Sequence, residues 1–125
     1  MLTNLLVIGL GGFIGAVARY LTSAWVGQRW GRSFPAGTFA VNIIGCLIIG
    51  FITTLFMEKF FVSAKWRAFV LIGFIGSFTT FSTFEYETAA LLQDGEWFMA
   101  AMNVILSVVV GFMALKMGQF IARSI

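Results

Sequence analysis

Histidine is absent from the chain, and cysteine and proline occur once each in 125 residues. Without histidine the chain lacks the commonest general base and the commonest metal-binding side chain. A single cysteine, Cys46, closes no internal disulfide and supplies no paired-thiolate metal site, so it reads as a small packing residue. Charge is scarce as well: 10% of residues are charged, against roughly 25% in an ordinary soluble domain. The net charge is only +3 and the basic residues are scattered, which leaves no patch for a nucleic acid. What remains is 60% hydrophobic and 17% aromatic. A chain of this size cannot hide so much apolar surface in water. It reads as an integral membrane protein built as one domain, residues 1–125.

A helix needs about 20 apolar residues to cross the hydrocarbon core. The chain offers four such runs: Leu2–Val26, Ala36–Met57, Trp66–Leu92 and Trp97–Leu115. The opening "MLTNLLVIGLGG" carries no Lys or Arg before its apolar run, so it reads as a retained first span and not as a cleaved signal. Trp25, Trp30, Trp66 and Trp97 fall near span ends, as interfacial aromatics do. Four crossings place both termini and the second loop on one side. That side holds five basic residues, Lys59, Lys65, Arg67, Lys116 and Arg123. The other side holds Arg29 and Arg32, plus Arg19 if it snorkels outward. The bias favours cytoplasmic termini, but weakly enough to let both orientations be populated.

Helical faces follow from steps of about 100° per residue. In the first span Gly11, Gly15, Ala18 and Thr22 form a stripe of small residues suited to close helix packing. Its "GLGGFIG" puts Ile14 where a dinucleotide fingerprint needs glycine, and it opens no strand–turn–helix unit. Arg19 is the only cation well inside a span. It is either an anchor that snorkels to the interface or an attractive field at the mouth of an anion path. In the second span Thr38, Asn42 and Cys46 share a face. A buried amide such as Asn42 requires a partner, either another helix or a permeant species. In the fourth span Asn103, Ser107 and Gly111 recur at helical spacing, a stripe that interhelical bonding alone could explain.

The third span is the unusual one. "GSFTTFSTFEYE", residues 76–87, puts hydroxyls, rings and acids at membrane depth. On a continuous helix Thr79, Thr80, Ser82 and Thr83 lie on one arc with Gly76 and Glu87. Phe78, Phe81 and Phe84 lie on the other. Hydroxyls both donate and accept, and ring edges carry partial positive charge. Gly73 and Gly76 ahead of β-branched Thr79 and Thr80 weaken the helix. The span is therefore either broken near Gly76–Thr79, exposing backbone groups that bind ions, or continuous with hydroxyls bonded to preceding carbonyls. Phe78 reads as a packing residue.

Four helices enclose no wide aqueous pore, so a homo-oligomer is expected. The weak charge bias permits two copies in opposite orientations. Enzyme chemistry is not expected. Glu85 and Glu87 point about 200° apart on a helix, and no nucleophile–base pair is visible. Hydroxyls, an amide, ring edges and one buried cation suit a passive conduit for a small anion.

The stretch "GFIGSFTTFSTFEYE" resembles the third-helix signature of the Fluc (CrcB) fluoride channels, G-x-x-G-x-x-T-T-F-S-T-F-x-x-E. Gly73, Gly76, Thr79, Thr80, Phe81, Ser82, Thr83, Phe84 and Glu87 match it. "GGFIGAVARY" and "GTFAVNIIG" extend the likeness to the first two spans. The resemblance implies an all-α membrane protein of four helices, the third broken near its middle, assembled as an antiparallel dual-topology homodimer with two narrow pores. It implies passive fluoride export from the cytoplasm of a prokaryote across the inner membrane. It assigns fluoride contacts to Phe81, Phe84 and Asn42, a hydroxyl track to Thr80, Ser82 and Thr83 with Ser107, and a vestibule role to Arg19. It assigns a structural sodium ion at the dimer interface to the backbone carbonyls of Gly76 and Thr79. Glu87 matches the family acid without an assigned role, and Asn103 departs from members with a larger polar aromatic there. A small dual-topology multidrug exporter is the main alternative, but such exporters use a first-helix glutamate where this chain has Arg19. A non-transporting assembly subunit is a further one.

Overall fold

The structure, a computed structural model, describes every residue from Met1 to Ile125 and is entirely helical. Helix α1 spans Leu2–Trp30 and α2 spans Ala36–Thr54, the latter running into a π-helical turn at Leu55–Lys59. The third segment opens with α3, Ala64–Arg67, continues as a π-helical stretch Ala68–Ile75, and ends in the short α4, Gly76–Phe78. After two extended residues, α5 runs Phe81–Gln93 and α6 runs Trp97–Ser124. Four segments are long and apolar enough to cross a bilayer: Leu2–Trp30, Ala36–Lys59, Ala64–Gln93 and Trp97–Ser124.

Starts and stops follow local chemistry. Pro35 precedes α2, where its missing N–H costs nothing. Ser63 caps α3 by accepting from the Trp66 N–H at 3.4 Å. The turn between α5 and α6 hinges on Gly95, whose φ of 77° suits a residue without Cβ. The fourth span continues as helix well past Leu115, because residues 116–124 hold no proline and only one glycine to stop it. For the same reason α1 extends beyond Val26 to Trp30, where Gly31 closes it.

Close approaches between helices set the packing. Helix α2 packs most extensively on α6, and α1 on the π-helical stretch of the third span. Gly11 and Gly15 lie against the backbone of Phe69 and Phe74, and Gly50 against that of Leu115. Any Cβ at these sites would collide with main-chain atoms. This is helix contact driven by small residues, as expected where lipid supplies no hydrophobic drive. Only 17 of 125 residues are buried, so the chain alone has no water-soluble core. Phe13, Phe112 and Phe120 are exposed on the outside of the helices. Such a surface needs lipid, another copy, or both.

Candidate functional site

The site is built where the third span leaves helical geometry. Gly76 is still helical (φ −60°, ψ −29°). Thr79 (ψ 158°) and Thr80 (φ −149°, ψ 115°) are extended. The extended step thus comprises Thr79 and Thr80, whereas Gly76, the other position around which the sequence suggests a break, is helical. The π-helical stretch before it was not anticipated.

The reason lies on α2. Asn42 Nδ2 donates to the Thr80 carbonyl at 3.1 Å, and the Thr80 N–H donates to Asn42 Oδ1 at 2.8 Å. One side chain satisfies both backbone groups of one residue, as a neighbouring strand would. The Gly76 carbonyl thereby loses the N–H that a continuous helix would give it. One turn along α2, Gly45 makes room for the Thr79 methyl group; a Cβ there would strike it. The Thr79 hydroxyl donates back to the Ile75 carbonyl at 3.3 Å.

Arg19 is tied to the third span through its Nε. Its Nε donates to the Ser77 carbonyl at 2.9 Å. A cation at the last turn of α4 opposes the negative end of that helical run. Beyond the step, Thr80 caps α5: its hydroxyl oxygen accepts from the Thr83 N–H at 3.3 Å and its hydroxyl donates to Thr83 Oγ1 at 3.0 Å. The free N–H groups and positive dipole end of α5 therefore begin at Phe81, deep within the span.

A cavity of about 350 Å³ opens beside this step. Asn42, Thr79, Thr80, Phe81, Phe84 and Ser107 line it with apolar neighbours from α2 and α6. The Phe81 and Phe84 ring centroids lie 5.8 Å apart, tilted by 50°. Phe84 is buried, whereas Phe81 is 75% exposed and projects outward from the single chain. Gly76 is exposed too.

Not every residue singled out in the sequence meets here. Ser82 is exposed and lines neither this cavity nor the polar one described next. Asn103 is 1% exposed and points into packing. Its Nδ2 donates to Thr88 Oγ1 at 2.9 Å, and Thr88 donates to the Phe84 carbonyl at 2.8 Å. Ser107 reaches Asn103 Oδ1 only at 3.5 Å, which leaves its hydroxyl largely available to the cavity. Thr88 was missed, although it stands one turn beyond Phe84 and two beyond Thr80.

Glu87 gains a partner. The Thr38 hydroxyl on α2 donates to Glu87 Oε1. Both residues line a second, polar cavity of about 360 Å³ with Tyr20, Ser23 and Thr83. Thr83 faces this cavity and not the first. The two cavities therefore meet α5 one turn apart, at Thr80 and at Thr83–Glu87.

The matching family model is described as CrcB-like protein, Camphor Resistance (CrcB), and covers residues 6–119. Relatives called fluoride-specific ion channel FluC are similar throughout. That of Geotalea daltonii is 46% identical over 122 residues, 98% of each chain. That of Hydrogenovibrio crunogenus is 45% identical over 115 residues, 92% of this chain and 87% of the relative. That of Geobacter sulfurreducens is 44% identical over 124 residues, 99% of this chain and all of the relative.

Proposed function

The chain belongs to the CrcB-like family, and from that membership we propose that it is a fluoride-selective passive channel that lets fluoride leave the cytoplasm. It is a multi-pass membrane protein of a channel family, not an enzyme. The observation that carries the reading is the Asn42–Thr80 clamp. It holds the third span open at membrane depth and starts α5 beside two phenylalanine rings and the Ser107 hydroxyl.

Fluoride is small and strongly hydrated, so a pore must replace its water with donors. The Ser107 hydroxyl and the second N–H of the Asn42 amide are donors at the cavity, and the Thr80 hydroxyl joins them once it rotates away from Thr83 Oγ1. The positive end of α5 adds a favourable field. The edges of Phe81 and Phe84 present weak positive potential while excluding bulk water. Thr83 extends the donor track toward Thr38 and Glu87, while Ser82, exposed on α5 and outside both cavities, would join it only from the face that a second copy covers. Arg19 supplies positive charge where its span meets Ser77.

The functional unit in this reading is an antiparallel, dual-topology homodimer in the inner membrane, carrying two pores. Supporting it are the exposed Phe81 and Gly76 beside an open cavity, which a second copy would cover. The weak charge bias between the two ends also supports it. Sodium fits the backbone at the step. The carbonyls of Gly76 and Thr79 are hard oxygen donors, the Gly76 carbonyl freed by the Asn42 clamp. Two from each copy would hold one ion, whose charge would neutralise the exposed carbonyl dipoles at the interface.

The test is ion flux. Purified protein in liposomes should release fluoride rapidly and chloride negligibly, read with ion-selective electrodes. Absence of fluoride release from monodisperse, correctly folded protein refutes the proposal.

A further inference from the structure

The two ends of the molecule differ in charge in a way the conduction path does not use. At the end carrying the 31–35 and 94–96 links, Arg32 and Asp94 line one hollow, with Arg29 and Glu96 close by in the chain. Arg29 is also stacked over the Trp25 ring at 4.0 Å. At the opposite end Lys59, Lys65 and Arg67 gather within nine residues. The only nearby acid is Glu58, and Arg123 occupies it in an ion pair at 3.0 Å. Lys59, Lys65 and Arg67 are all exposed and none has a carboxylate partner.

Aromatic surface accompanies these cations. Phe60 and Phe61 sit in the non-helical link, with Phe61 97% exposed. Trp66 is exposed and meets Phe69 edge-on, centroids 5.7 Å apart. Beside them a groove of about 240 Å³ runs between α1 and the third span, lined by Val7, Trp66 and Phe69. Lys65 is its one charged wall. A neighbouring hollow of about 440 Å³ takes its cations from Lys59 and Arg67.

An apolar groove with a cation at its rim, at the depth where aromatics mark the interface, matches one class of ligand. We propose that this end binds a phospholipid with an anionic headgroup. One acyl chain lies in the Val7–Trp66–Phe69 groove and the phosphate meets Lys65, with Lys59 and Arg67 adding attraction. A soluble anion would have no use for the groove, and a zwitterionic lipid would gain little from three unpaired cations. The inference is independent of which ion the protein conducts.

Native mass spectrometry of detergent-purified protein tests it, using phosphatidylglycerol and phosphatidylcholine of matched chains. Phosphatidylglycerol should be retained at least about fivefold better than phosphatidylcholine. Lys65→Gln should cut that retention by about fivefold, and the Lys59→Gln/Arg67→Gln double variant by at least as much. Arg29→Gln/Arg32→Gln at the other end should leave it unchanged. Should Lys65→Gln fail to give monodisperse protein, the double variant and the wild-type lipid comparison decide. Equal retention of both lipids, or equal loss from the Arg29/Arg32 variant, overturns the site. Displacement of phosphatidylglycerol by an equal concentration of inorganic phosphate would mean a soluble-anion site and would overturn it too.

Discussion

Removing the Asn42 amide tests the site at its origin. In Asn42→Ala the Thr80 N–H and C=O both lose their partner at once. Each net hydrogen bond is worth about 1 to 1.5 kcal/mol, so the extended step is destabilised by about 2 to 3 kcal/mol. At 1.4 kcal/mol per factor of ten, amide exchange at Thr80 should accelerate by about 30- to 150-fold. Thr79 and Thr80 should therefore lose their fixed extended geometry, and the cavity beside Phe81 its shape. Fluoride efflux from liposomes should fall at least tenfold while the variant still elutes at the wild-type size. Asn42→Asp separates the two bonds: it can still accept from the Thr80 N–H but cannot donate to the carbonyl. Its Thr80 amide should exchange at an intermediate rate, with flux nonetheless lost to the added negative charge. Wild-type exchange at Thr80 together with wild-type flux in Asn42→Ala would refute the clamp.

Other consequences can be checked separately. Phe81→Ile removes an exposed ring that contributes little to folding, so flux should drop strongly with thermal stability within about 0.5 kcal/mol of wild type. Gly15→Val drives side-chain atoms into the Phe74 backbone, and should cost at least about 1 to 3 kcal/mol, read as early loss of the monodisperse peak on heating. Asn103→Ala strips Thr88 of a buried partner and should destabilise the α5–α6 contact by about 1 to 3 kcal/mol, with a smaller effect on flux than Asn42→Ala. A cysteine-reactive, membrane-impermeant label at an added C-terminal tag should reach about half of the molecules in intact cells; labelling of all or none would exclude dual insertion.

The spans were legible because apolar run length is a one-dimensional property. Their exact ends were not, since α6 continues through residues 116–124, where Lys116, Gln119 and Arg123 interrupt the apolar run that marks a span. The need for a partner at Asn42 could also be inferred, because a buried amide is expensive in any surroundings. That the partner is the Thr80 backbone could not, since it depends on how α2 and the third span are juxtaposed. Glu87 shows the same limit. Its spacing put it on the hydroxyl arc, but Thr38 lies 49 positions away and only the fold brings it close. Arg19 is instructive in the other direction. Both sequence readings assumed a free guanidinium, and a main-chain carbonyl was not considered.

The seat that Gly45 provides for the Thr79 methyl makes α2 the gauge of the molecule. Asn42 fixes where the extended step hangs, and Gly45 fixes how closely it may lie. The width of the cavity is thus governed from a neighbouring helix, by one residue that grips and one that stays out of the way. Alanine at Gly45 would act as a shim under the Thr79–Thr80 step. Anyone wishing to recalibrate what the cavity admits should begin with shims on α2, before altering the rings and hydroxyls on α5.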